Sequence, residues 1–113
     1  MPRKPAAKSK AGLTEVVEGI SITPIPATAG ETITIRYDGL LAKSGAQSVY
    51  AHLGYGHNDS WDNVEDIVMT NVPQGWTCDI LPKGERVNFC FHDGADNWDN
   101  NYGYNWSIMI HNG

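Results

Sequence analysis

The chain has 113 residues, enough for one domain with a buried core and too few for two. Its net charge of −5 is unevenly distributed, because half of the 8 basic residues lie in the first ten positions (Arg3, Lys4, Lys8 and Lys10). The remainder sets 13 acidic side chains against the other four basic ones, which argues against a phosphate-binding surface and therefore against nucleic acid as a partner of the folded part.

Residues 1–12 contain prolines, alanines and lysines without an apolar pattern, which predicts a disordered basic tail followed by one folded domain at 13–113. No apolar stretch approaches the roughly 20 residues that span a membrane, so no membrane partner is expected. The basic start lacks the hydrophobic segment of a secretory signal. These features predict a cytoplasmic protein, or a secreted one if the chain is a fragment of a larger enzyme.

Seven short runs alternate apolar and polar residues, with turn residues about every ten positions. They cover 19–24, 32–37, 48–55, 64–71, 75–80, 86–91 and 104–110. No run has a helical period, and no connection is long enough for a crossover helix. The connection at 40–46 is expected to be irregular. The pattern predicts an all-β fold, an antiparallel immunoglobulin-like β-sandwich of about seven strands. Pro24 and Pro26 close the first run, which predicts an edge position for it.

The two cysteines predict neither a disulfide scaffold nor a zinc site. Cys78 is in phase with the apolar residues of its run, whereas Cys90 is out of phase with Phe89 and Phe91. If the aromatic residues point inward, the two sulfur atoms lie on opposite faces and cannot form a bond. Two free thiols are therefore expected.

The four tryptophans fall into two classes. Trp76 and Trp106 are in phase with apolar neighbours, which predicts core positions. Trp61 and Trp98 lie beside loops of Asn, Asp and Gly, where each either covers the sandwich or offers a flat apolar face to a ligand. With His52 on the outward face of its run, the second interpretation is favoured. A sugar suits such a surface, because its C–H face stacks on indole and its hydroxyls bond to amides and carboxylates.

Several segments together resemble the starch-binding carbohydrate-binding module family 25 and its relative, family 53. They are VYAHLGYG at 49–56, Trp61, VMT at 68–70, Gly75 with Trp76, NFCFHD at 88–93 and, most specific, NWDNN at 97–101 followed by Asn105 and Trp106. The resemblance runs from about Ile20 to the C-terminus. It implies that 13–113 is a starch- or glycogen-binding β-sandwich module.

The resemblance also implies the function and its residues. The expected ligands are α-1,4-glucans (starch, glycogen and maltooligosaccharides), bound without catalysis and without a cofactor. The implied sugar surface contains His52, Trp61 and Trp98, with Asn100 or Asn101 as polar partners. An amylolytic or glycogen-metabolising enzyme is a candidate partner.

Two other functions remain open from the residues. A protein-interaction domain of the same fold would use the exposed tryptophans as anchors. A small glycosidase or esterase subunit would need a cleft between two carboxylates, for which a sandwich of this size has little material.

A metal site is also disfavoured. The carboxylates of Asp93, Asp96 and Asp99 fit turn chemistry better than a calcium loop, and the four histidines have no metal-ligand spacing.

Overall fold

The computed structural model describes residues 13–17 as backbone and residues 19–112 in full. The predicted basic tail, 1–12, lies outside the described residues. In chain order the strands are β1 (Leu13–Val17), β2 (Ile20–Ile25), β3 (Ala27–Thr28), β4 (Ile33–Tyr37), β5 (Tyr50–Tyr55), β6 (Asp62–Val68), β7 (Thr70–Val72), β8 (Gly75–Ile80), β9 (Arg86–His92), β10 (Trp98–Asp99) and β11 (Trp106–His111). A single helical turn, α1 (Leu40–Lys43), separates β4 from β5.

The strands form two sheets. A five-stranded sheet has the order β1-β2-β4-β8-β7, and a six-stranded sheet has the order β3-β11-β9-β5-β6 with β10 beside β9. All pairs are antiparallel except β3 with β11, which is parallel. The prediction of an all-β, antiparallel sandwich is confirmed, but the described residues form eleven strands and not about seven.

Period-2 alternation decides which side chains form the core between the sheets. On β4 the side chains of Ile33, Ile35 and Tyr37 are fully buried, and on β9 those of Phe89 and Phe91 are too. The Tyr37 ring stacks on Phe91 across the interface, with ring centroids 4.1 Å apart and planes inclined by 22°. Burying one such side chain is worth about 1.5–3 kcal/mol, so these rows hold the sandwich together.

The predicted strand at 64–71 is wrong as a single element. The chain divides at Met69, so that β6 joins the six-stranded sheet and β7 the five-stranded one. Met69 is buried where the chain crosses from one sheet to the other. Both halves are outer strands with exposed side chains, so their residue pattern does not change at the crossing.

Three other predictions about local structure are also corrected. The first predicted run is not at an edge, because β2 lies between β1 and β4. Tyr104, predicted to extend the last strand, lies in a turn before β11 and is exposed. The connection predicted to be irregular begins with α1. Among the described residues, no helix is long and apolar enough to cross a membrane.

The two thiols are free, as predicted. Cys78 belongs to the core between the sheets, whereas Cys90 is buried outside that core. Burial is the main cause that raises the pKa of Cys78 to about 12 and that of Cys90 to about 11. Both side chains are therefore protonated at neutral pH, and a protonated thiol is a poor nucleophile and metal ligand.

Candidate functional site

The outer face of the six-stranded sheet carries the side chains that are out of phase with the core. Tyr50 and His52 lie on β5, Asp66 on β6 and His92 on β9. The strand register places Tyr50 opposite His92, His52 opposite Asp66, and Trp98 of β10 opposite His92. Cross-strand partners lie within side-chain reach of one another, so these residues form one continuous surface.

Five rings are in contact on this surface. Tyr50 stacks on His92 with centroids 5.0 Å apart, and His92 lies 4.4 Å from Trp98. His52 meets Trp98 edge-on at 5.1 Å and lies 5.8 Å from Trp61. We call these five residues the aromatic platform. The structure thus brings together His52, Trp61 and Trp98, with the histidine between the two indoles.

Gly54 allows the Trp61 side chain to lie close against strand β5. A Cβ atom at Gly54 would lie 2.8 Å from the Trp61 Cβ and 2.9 Å from its Cε3, so a larger residue would displace the indole. Trp61 Nε1 donates to the backbone oxygen of Asn58 at 2.9 Å and to its Oδ1 at 3.1 Å. Since the polar atom is already bonded within the protein, the indole has mainly carbon surface to offer a ligand.

Trp98 depends on a contact with the core. Its neighbour Asp99 accepts a hydrogen bond of 2.5 Å from the Tyr37 hydroxyl, which itself accepts a bond of 2.9 Å from the Leu41 N–H. Burial, and then the bond to Asp99, raise the pKa of Tyr37, so the hydroxyl retains the proton that it donates. A fully buried tyrosine therefore fixes the two-residue strand that carries Trp98.

Replacing Tyr37 with phenylalanine is expected to lower the free energy of unfolding by about 1–3 kcal/mol, because the carboxylate of Asp99 and the N–H of Leu41 lose a buried partner. Urea unfolding measures the loss. Thr34→Val on the same strand is the control, since it removes an exposed hydroxyl–carboxylate bond to Asp79 and is expected to cost at most about 0.5 kcal/mol. Equal stability of the two variants would show that Tyr37 does not anchor β10.

The turn between β9 and β10 is closed by Asp93. Its carboxylate accepts hydrogen bonds from the Asn97 side chain at 2.8 Å and from the Ala95 N–H at 2.9 Å. These bonds, that from the Asn97 side chain first, lower the pKa of Asp93. The carboxylate thus acts in turn formation, as the sequence indicated.

Asn100 and Asn101 lie in the next turn. Asn100 Oδ1 accepts a bond from the Gly103 N–H, and Asn101 Nδ2 donates to the Asn105 oxygen, each at 3.0 Å. Both also line a hollow of about 210 Å³ together with Trp98. They are therefore beside one tryptophan of the platform, and their contact with a sugar stays a prediction.

The model of the starch/carbohydrate-binding module family 53 matches residues 33–89, half of the chain. The chain belongs to this family. Of the two families that the sequence resembles, family 53 is the one that the match supports. The match includes His52, Trp61 and Asp66, whereas Trp98 lies beyond it. No curated protein and no solved structure matches the chain.

The family 53 module has a charged group at its platform that the sequence analysis missed, the half-exposed carboxylate of Asp66. One carboxylate oxygen, Asp66 Oδ1, lies 2.8 Å from His52 Nδ1 and 2.8 Å from His92 Nε2. His92 could have been found from the strand pattern, because it is out of phase with Phe89 and Phe91. Asp66 could not, because its position depends on the register between β5 and β6.

This group of two histidines and one aspartate resembles a metal centre, with its ligand atoms within 4.8 Å of one another. The hydrogen bonds argue otherwise. A histidine that binds a metal through Nε2 normally donates a proton from Nδ1. In this module the Gly94 N–H points at His92 Nδ1 from 3.1 Å, so that nitrogen accepts and the proton lies on Nε2. The group fits a hydrogen-bond network and not a metal site.

Proposed function

We propose that this module binds α-1,4-glucans, such as starch, glycogen and maltooligosaccharides, without catalysis. The glucan stacks on Trp61 and Trp98, and His52 contacts its hydroxyls. Asn100 and Asn101 add polar contacts from the adjoining turn. The observation that carries the proposal is the meeting of His52 with both tryptophans on one solvent-facing surface, in a chain of a starch- and carbohydrate-binding family.

The chemistry of the platform suits a neutral sugar. Indole carbon surface fits the C–H face of a pyranose, and stacking of flat ligands on aromatic side chains is worth roughly 1–3 kcal/mol per ring. Acidic side chains outnumber basic ones by 13 to 8 over the whole chain, so an anionic polysaccharide would be repelled. An uncharged glucan avoids that repulsion.

The electrostatics of Asp66 support a role in binding and not in hydrolysis. A glycosidase needs a carboxylic acid with a raised pKa and a second carboxylate about 5–9 Å away across the substrate. Burial raises the pKa of Asp66, but the bonds from His92 and His52 outweigh it, so the pKa is lowered. Asp66 is therefore unsuited to the role of general acid. We propose that the module holds the glucan for an amylolytic or glycogen-metabolising enzyme.

Calorimetric titration with maltoheptaose tests the proposal. We expect a Kd between about 1 mM and about 1 μM, since the platform is a shallow surface of a few rings. A β-1,4-linked glucan of equal length is the control, because its extended chain presents successive rings differently from the curved α-linked chain. Absence of maltoheptaose binding would contradict the proposal and favour a protein-interaction domain. Equal binding of both sugars would contradict the selectivity for α-linked glucans.

A further inference from the structure

The hydrogen bonds around His92 determine where its proton lies. Its Nδ1 accepts the N–H of Gly94 at 3.1 Å and therefore carries no proton. The proton of the neutral ring is on Nε2, which donates to Asp66 Oδ1 at 2.8 Å. Both nitrogens of His92 are thus bonded within the protein, and its contribution to a ligand is limited to its ring surface.

The state of Asp66 determines the proton of His52. An ionised carboxylate has no proton to donate, so every nitrogen bonded to it must be the donor. With its pKa held below the ordinary value, Asp66 is ionised at neutral pH. The bond of 2.8 Å to His52 Nδ1 therefore requires a proton on Nδ1.

A neutral histidine carries one ring proton, so His52 Nε2 is left as an acceptor. That nitrogen has no hydrogen-bond partner among the described residues, and 28% of the His52 side-chain surface is exposed. The ring lies between Trp61 and Trp98, where a glucose unit stacked on either indole would bring its hydroxyls.

We propose that Asp66 is a positioning residue that keeps His52 as a hydrogen-bond acceptor for a glucan hydroxyl. The inference rests on the proposed function for its ligand, but the proton positions that it assigns belong to the free protein. Asp66 acts through His52 and His92, because both of its bonds are to those rings. One carboxylate holds both rings by hydrogen bonds. Its loss would therefore leave His52 and His92, at the centre of the platform, without the partner that fixes their orientation.

The first measurement needs no sugar. Nitrogen-15 NMR of the histidine side chains in the free protein distinguishes a protonated from an unprotonated ring nitrogen. We expect His52 with its proton on Nδ1, the less common form of histidine in water, and His92 with its proton on Nε2. In Asp66→Ala we expect His52 to change to the Nε2 proton. A parent protein with the His52 proton on Nε2 would overturn the inference, whatever the protein binds.

The second measurement is maltoheptaose affinity. Asp66→Ala is expected to raise Kd about tenfold, and Asp66→Asn by less, because its amide oxygen still accepts from both rings. Glu65→Ala on the same strand removes an equal charge from an exposed position and is expected to leave Kd unchanged. Circular dichroism checks that each variant is folded.

The outcomes separate the two proposals. If the parent does not bind maltoheptaose, the proposed function fails, while the NMR result still decides the proton positions. If the parent binds and Asp66→Ala binds equally well, the positioning role is wrong although the sugar site stands. Equal weakening by Glu65→Ala would show a general effect of charge and would also overturn it.

Discussion

Replacing Trp76 with alanine is expected to lower the free energy of unfolding by about 3–5 kcal/mol, the cost of emptying a large core position. Trp76 lies on β8 opposite Tyr37, and only 8% of its surface is exposed. A small domain is stable by about 5–15 kcal/mol in total, so the variant loses a large part of its stability. Urea unfolding followed by circular dichroism measures the loss.

Trp76→Phe is the matched control for this prediction. It retains an aromatic ring and part of the volume, so we expect a loss clearly smaller than that of the alanine variant. A Trp76→Ala protein with the midpoint of the parent would show that this indole is not part of the core.

Strand alternation predicted the core well, because burial between two sheets imposes a period of two on each strand. It placed Phe89 and Phe91 inward and left His52 outward, as observed. The same rule fails for β3 and β10, which have two residues each and contain no period to detect. Alternation also cannot predict the contact of Asp66 with His52, because a contact across strands depends on the pairing register and not on the sequence of one strand.

Trp106 shows where the assignment from pattern was too simple. Its ring packs against the core residues Phe89 and Phe91, as its phase predicts. Its side chain is nevertheless half-buried at the start of β11, and its buried Nε1 has no partner within the described part of the chain. Phase indicates the face on which a residue lies, but the depth of burial also depends on the loops that cover the end of the strand.

The platform tryptophans are expected to behave in the opposite way to Trp76. Trp98→Ala should raise the Kd for maltoheptaose about 5- to 150-fold, which corresponds to a loss of roughly 1–3 kcal/mol of stacking. Its stability should change little, because 46% of the Trp98 surface is exposed. Trp61→Ala should weaken binding to a similar degree and cost more stability than Trp98→Ala, since the Trp61 indole is half-buried against Gly54.

Calorimetry is the appropriate measurement for these two variants, because removing an indole also removes part of the fluorescence signal. Leu81→Ala is the control: Leu81 is 60% exposed and directly follows β8 of the five-stranded sheet, so its loss should alter neither affinity nor stability. If Trp98→Ala binds maltoheptaose like the parent, the sugar does not lie on the platform. If it fails to fold, the ring is structural, and the exposed surface must be assigned another partner.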